Sequence, residues 1–213
     1  MQAAFEVLRQ SPTVSGKERV NLTIALLILA WAAVVALGLR TLFAYETTAG
    51  PVGKTPATWP VGSKIRLAEN ADTLLMFVHP HCPCTAASLE EFAQIMAQVR
   101  GRVKSYVLLC HPRSLGTEWT RTAIAESAAK IPDVAVLSDP DGEEATQFGA
   151  KTSGYVLLFD SQGRRLFRGG ITAMRGHAGE NLGERAVISL VRRETNTPQA
   201  SQVFGCSLFG ETR

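Results

Sequence analysis

From Leu22 to Leu39 the chain reads LTIALLILAWAAVVALGL, a run without a single charge. At about 1.5 Å per residue a helix of this length falls just short of a hydrocarbon core of about 30 Å. Leu42, Phe43, Ala44 and Tyr45 continue the apolar character past Arg40, whose side chain can snorkel toward an interface. Trp31 and Tyr45 add interfacial aromatic surface. A core helix of a soluble domain is disfavoured because the segment is apolar all round. A cleaved signal peptide competes, but the run is long for a signal core and the stretch 1–20 precedes it. The pattern predicts a transmembrane anchor over 21–45 behind a short N-terminal segment, 1–20.

Past the anchor the pattern changes. Residues 46–60, ETTAGPVGKTPATWP, show neither a helical nor a strand period and predict a linker over 46–62. Ser63–Leu67 offers a short edge strand. Leu74–Val78 (LLMFV) is continuously apolar and predicts a strand buried on both faces. A helix follows HPHCPCT, with Leu89, Phe92, Met96 and Val99 on one face and Gly101 closing it. Val103–Leu109 predicts a second strand. Glu118–Lys130 predicts a helix with Trp119, Ala123, Ile124 and Ile131 at helical spacing, stopped by Pro132. Val134–Leu137 is a short strand, SDPDG a turn, and Glu143–Phe148 a small helix ended by Gly149. Tyr155–Phe159 and Arg164–Phe167, joined by DSQG, read as a hairpin. Asn181–Arg192 closes a domain over 63–195 with an amphipathic helix, leaving a loose tail, 196–213. The order is α/β: a parallel β-α-β unit, an inserted α-β-α, and an antiparallel pair before the last helix.

Composition narrows the function classes. Hydrophobic types make up 46% of the 213 residues, enough for one core plus the anchor. A net charge of +3, with no basic run interleaved with aromatics, argues against nucleic acid as a partner. Arg9, Lys17 and Arg19 precede the anchor, while Arg40 and Lys54 lie near its far end. That balance favours a single-pass protein of the inner (cytoplasmic) membrane, N-terminus in the cytoplasm and domain in the periplasm. Four cysteines in the outer part suit an oxidising compartment.

Cys82 follows a buried strand and opens a helix. Thiolate is the nucleophilic form of cysteine, and a helix N-terminus favours negative charge. Pro83 suits a first helical position, where a missing N–H costs nothing. Two cysteines around a proline at such a junction argue against small buried fillers. Cys110 and His111 end the second strand at the same sheet edge, and Arg175 and His177 leave the last strand there. All four histidines, His79, His81, His111 and His177, are therefore expected to converge on the cysteine pair, where an imidazolium would raise the thiolate fraction of Cys82. Cys206 lies in VFGCSLF, an apolar island in a polar tail. It can resolve a mixed disulfide, clasp Cys110, or simply pack; spacing does not choose among the pairings.

Element order and the junction cysteine resemble the thioredoxin fold, and the α-β-α insertion resembles its membrane-anchored, peroxiredoxin-like and copper-chaperone-like branches. Two departures stand out. Thioredoxins carry C-x-x-C, whereas this chain has C-P-C-T, with Thr85 where the second cysteine falls. A Cys82–Cys84 disulfide would close a small strained ring, and strain makes a disulfide easier to reduce. Gly154, flanked by Thr152 and Ser153, stands where thioredoxins place a cis-proline; its backbone is permissive rather than locked. From Leu74 to Phe209 the chain is similar to a small group of thioredoxin-like bacterial proteins labelled RedB, through HPHCPCTAASLEEF, FGAKTSGYVLLFD, GGITAMRGHAGENLG and VFGCSLF.

The group's label implies a redox role, and with the cysteine pair the leading expectation is a membrane-anchored thiol-disulfide oxidoreductase without a cofactor, acting on protein thiols or disulfides. Cys82, Cys84, His81 and Thr85 are its expected catalytic set. His79, Thr152, Ser153, Gly154, Arg175 and His177 are expected to support the site or bind substrate, with Cys110 or Cys206 as further resolving thiols. The alternative is a copper-delivery protein, in which Cys82, Cys84, His79, His81 and His177 offer soft ligands to Cu(I). A binding module without turnover is a third class. The surroundings of Cys82 do not match the peroxiredoxin pattern.

Overall fold

The computed structural model describes residues 16–209, and it divides into two units, one ending at Ala44 and the other beginning at Tyr45. Most of the N-terminal segment 1–20, including Arg9, lies outside the described residues, as do the last four positions of the tail. In the first unit, α1 (Gly16–Thr47) begins before the apolar run and continues two residues beyond Tyr45. Arg19–Thr47 is long and apolar enough to cross a membrane. Its 29 residues span about 43 Å at the usual helical rise, which covers a hydrocarbon core with turns to spare. Its apolar side chains are exposed, unlike those of a core helix.

The second unit is built on a five-stranded sheet in the order β3-β2-β1-β4-β5. Strand β1 (Asp72–Val78) lies at the centre, parallel to β2 (Val103–His111), which is parallel in turn to β3 (Val134–Pro140). On its other side β1 pairs antiparallel with β4 (Tyr155–Phe159), and β4 pairs antiparallel with β5 (Arg165–Gly169). A central strand between two neighbours must be apolar on both faces, which is why LLMFV is unbroken. Leu74, Met76 and Val78 point into one core with Phe92, Ile95 and Met96 of α2 (Thr85–Gln98) and Val187 of α5 (Leu182–Val191). Leu75 and Phe77 point the other way.

Among the described residues that opposite face carries one short helix, α4 (Glu143–Phe148), which contributes Ala145 and Phe148. The segments expected as a linker and a loose tail complete it. Trp59 packs edge-on against Phe148 and Phe159, with ring centroids 5.0 and 5.1 Å away. Arg165 donates to the Thr55 and Pro56 carbonyls, and Thr152 Oγ1 donates to the Pro51 carbonyl at 2.7 Å. Val203 and Leu208 of the tail are buried in the same apolar cluster. The Ser201 N–H donates to Arg168 O and the Gly50 N–H to Val203 O, so linker and tail are stitched to the sheet and to each other. An uncovered apolar sheet face supplies the driving force for both.

Three local expectations are corrected. Ser63–Leu67 forms no strand; Ser63 Oγ and the Lys64 N–H instead donate to Glu144, at 2.7 and 2.8 Å. The helix expected over Glu118–Lys130 breaks in two. A 3₁₀ turn, Thr117–Thr120, precedes α3 (Ala123–Ala129), because Thr122 adopts an extended backbone and its Oγ1 accepts the Ala125 N–H as an N-cap. The turn expected at SDPDG begins later, since β3 continues to Pro140. Asp139 at its end accepts the N–H groups of Glu144 and Ala145 and so starts α4.

Candidate functional site

The loop between β1 and α2 is a tight turn in which the Cys82 N–H donates to His79 O and the Thr85 N–H to Cys82 O, both at 3.0 Å. Helix α2 starts at Thr85 with Cys84 as its N-cap residue, so Pro83 sits in the turn and not, as expected, at the first helical position. Cys82 is only 2% exposed. Its sulfur lies 2.8 Å from that of Cys206. The sulfurs of Cys82, Cys84 and Cys206 all fall within 4.8 Å of one another.

Burial pushes the Cys82 thiol up, but hydrogen bonds to its sulfur overcome that, and the net shift is downward. The donors are the Cys206 thiol and N–H, the Thr85 hydroxyl and the Cys84 N–H. The Thr85 hydroxyl is aimed by its own neighbours. Its Oγ1 is 2.8 Å from Ser153 Oγ, which in turn accepts the His79 N–H at 2.9 Å. A Thr85 hydroxyl that gives its single proton to the Cys82 sulfur accepts from Ser153 Oγ. Cys206 is the opposite case. Burial, its bond to Cys82 and the Cys82 charge push its thiol up to about 12. The two shifts run in opposite directions, so of the pair Cys82 is the one favoured as thiolate. Burial and the Cys82 charge also raise the Cys84 thiol, an effect that the nearby Arg175 guanidinium opposes.

Cys206 is held there by backbone pairing. The Ser153 N–H donates to Cys206 O at 2.8 Å, the Leu208 N–H to Lys151 O at 2.9 Å, and Thr152 and Ser207 form an antiparallel bridge. Arg175 donates through Nη1 to Gly205 O, through Nε to Tyr45 O at 3.0 Å and through Nη2 to Thr48 O at 3.2 Å. Gly154 adopts a left-handed backbone (φ 87°), its N–H donates to Phe77 O, and a Cβ there would lie 2.8 Å from Ser88 Oγ.

The expected convergence of histidines does not occur. Among the described residues, no histidine nitrogen joins the three sulfurs. His79 and His81 instead pack on Trp119, with ring centroids 5.3 and 4.3 Å away, and the His81 ring bonds Trp119 O at 2.9 Å. Burial holds the His79 imidazole below its usual value, and its Nδ1 accepts the His81 N–H, which fits a neutral ring. His111 bonds Ser138 Oγ at the far side of β2, and His177 turns to the Arg175 carbonyl. Cys110 is also elsewhere: almost fully buried, it donates to Asp139 at 3.4 Å, and burial beside that carboxyl raises its thiol well above the ordinary range. It offers neither a thiolate nor a clasp for Cys206.

The sequence missed the hydroxyl pair Ser153–Thr85 as a working unit and left Cys206 among several partners. The polar Thr-Ser before Gly154 and the apolar frame of Cys206 are the signals that point to both.

No protein-family model matches the chain, and no curated protein sequence does. Solved structures similar to it include an uncharacterized conserved protein from Geobacillus kaustophilus, 18% identical with TM-score 0.56, covering 79% of this chain and 96% of the other. A hypothetical protein from Sinorhizobium meliloti 1021 is 17% identical with TM-score 0.56, covering 77% and 97%. The exposed lipoprotein thioredoxin of Streptococcus pneumoniae is 15% identical with TM-score 0.41, covering 59% and 86%.

The assignment of Cys82 as the thiolate has a spectroscopic consequence. In an ultraviolet titration of thiolate absorbance, Cys82 ionises before the other cysteines, shifted down from its ordinary value. Cys206→Ala removes a donor and moves that midpoint up, leaving less thiolate at neutral pH. An unchanged midpoint in that variant contradicts the assignment. By its sheet order, its strand directions and the inserted α3-β3-α4 unit, the chain has the thioredoxin-like fold.

Proposed function

We propose that the protein is a membrane-anchored thiol-disulfide oxidoreductase of the periplasm, in which Cys82 is the nucleophile and Cys206 resolves. The observation that carries this reading is the 2.8 Å contact between two sulfurs of opposite proton affinity. Helix α1 supports the anchor, and Lys17 and Arg19 at its start favour that end in the cytoplasm. Partners are protein thiols or disulfides.

The two affinities impose an order. The Cys82 thiolate attacks one sulfur of a partner disulfide, that S–S bond breaks, and the partner's other sulfur leaves as a thiolate. Cys82 is now neutral. Two of the four influences that raise the Cys206 thiol, the Cys82 charge and the bond to its sulfur, disappear together, while Arg175 still favours the thiolate. Cys206 then gives its proton to solvent and, as the thiolate, attacks the Cys82 sulfur. A Cys82–Cys206 disulfide forms, the partner's first sulfur leaves as a thiolate, and two electrons have passed to the partner. The reverse sequence oxidises a partner dithiol.

Cys82→Ser abolishes turnover of a model protein disulfide, Cys206→Ser stalls as a mixed disulfide on Cys82, and Cys110→Ser turns over as the parent does. Full turnover by Cys82→Ser removes the proposal.

A second reading rests on the three sulfurs themselves. Thiolates within 4.8 Å of one another suit a soft ion such as Cu(I), whose charge would offset the cost of ionising Cys84 and Cys206. The donor set is all sulfur, not the mixture with His79, His81 and His177 expected from the sequence. On titration against a chromophoric chelator the protein holds one equivalent of Cu(I), lost in Cys84→Ser and kept when those histidines are replaced. Failure to compete with the chelator dismisses the metal role.

A further inference from the structure

We infer that the disulfide made at this site migrates: after Cys82 and Cys206 are joined, Cys84 attacks the Cys206 sulfur and the bond passes to Cys84–Cys206. The inference rests on the redox reading and specifies how the oxidised site is reopened to a partner dithiol.

Cys84 is the sulfur of the cluster that the exchange described above leaves idle. It lies within 4.8 Å of both others, and the Cys206 thiol bears on it as a donor, as it does on Cys82. Cys206 thus stands between two possible partners. Pro83 alone separates Cys82 from Cys84, so a bond between those two closes a small strained ring. The unstrained pairs both contain Cys206.

Oxidation itself frees the attacking sulfur. In the reduced protein, burial, the Cys82 charge and the bond to the Cys82 sulfur raise the Cys84 thiol. Joining Cys82 to Cys206 removes the last two, while the Arg175 guanidinium goes on favouring a Cys84 thiolate. Cys84 gives its proton to solvent and attacks the Cys206 sulfur. The Cys84–Cys206 bond forms, the Cys82–Cys206 bond breaks, and Cys82 leaves as a thiolate. One disulfide and one thiolate stand on each side, so no outside oxidant or reductant is needed. Cys82 is a good leaving group, because the Thr85 hydroxyl and the N–H groups of Cys84 and Cys206 still face it. The Cys206 thiol, its fourth donor, is spent in the new bond, and Cys82 and Cys206 already stand 2.8 Å apart in the reduced protein. Cys82–Cys206 therefore remains the resting bond and Cys84–Cys206 the minor isomer.

Migration changes what a partner meets. Cys82 is almost fully covered, whereas Cys84 and Cys206 are half-buried. One thiolate of a partner dithiol attacks the Cys84 sulfur, and Cys206 leaves as a thiolate. The partner's second thiolate then attacks its first sulfur, Cys84 leaves as a thiolate, and two electrons have passed to this protein.

Full-length protein in its Cys82–Cys206 form is held in acid, where the scarcity of thiolate freezes exchange, then brought to neutral pH with no added thiol or oxidant. Samples returned to acid are cut with pepsin, and the linked peptides are identified by mass. Cys84–Cys206 peptides grow in with time and settle at about 1–10% of the total. Cys82–Cys206 as the sole linkage after hours overturns the inference. A short pulse of reduced glutathione is then found on Cys84; glutathione on Cys82 or Cys206 alone overturns the exit through Cys84. The migration itself needs no partner. Its absence in a protein that exchanges protein disulfides sinks the inference alone, and its presence in a protein inert toward them sinks the redox reading alone.

Discussion

A proton shared unequally between two sulfurs is the constraint around which this domain is arranged. Burying a thiolate is unfavourable unless several donors face it. Cys82 has four, drawn from two parts of the chain: Cys84 and Thr85 from the turn into α2, and the thiol and N–H of Cys206 from the tail. The Thr85 donor depends in turn on Ser153, at the entrance to β4. None of these groups is near another in sequence except Cys84 and Thr85. The thiolate therefore exists only where the folded sheet brings the β1–α2 turn, the β4 entrance and the tail together.

The way the second face of the sheet is covered follows from the same economy of parts. One short helix leaves Leu75, Phe77, Leu157 and Phe159 in need of partners, and Trp59 on one side and Val203 and Leu208 on the other provide them. Covering that face fixes the course of the tail, and the course of the tail delivers Cys206 to Cys82. Arg175 ties the same stretch to the Tyr45 and Thr48 carbonyls. Core packing, and not local preference around the cysteine, positions the second sulfur.

This division explains what could be read from the residues alone. Strands β1, β2, β4 and β5 and helices α2 and α5 were legible because each is a run whose period matches its burial. Cys82 at a strand-to-helix junction was legible for the same reason. Helix α3 was overextended because Trp119 fell at helical spacing, whereas its ring packs against two imidazoles. The packing of the linker and tail was not legible because a segment held by backbone bonds and single anchors such as Trp59 and Leu208 has no period to detect. The histidines were expected at the site because they share an edge of the fold, but an edge is wider than the reach of an imidazole, and Trp119 and Ser138 claim three of the four.

The account stands on Cys206, rather than Cys84, being the electronic partner of Cys82. Disulfide connectivity by proteolysis and mass spectrometry of the fully oxidised, full-length protein tests this most directly. The expected product is a linked pair of peptides carrying Cys82 and Cys206, with Cys84 and Cys110 free. A single peptide containing a Cys82–Cys84 disulfide, with Cys206 free, would contradict it.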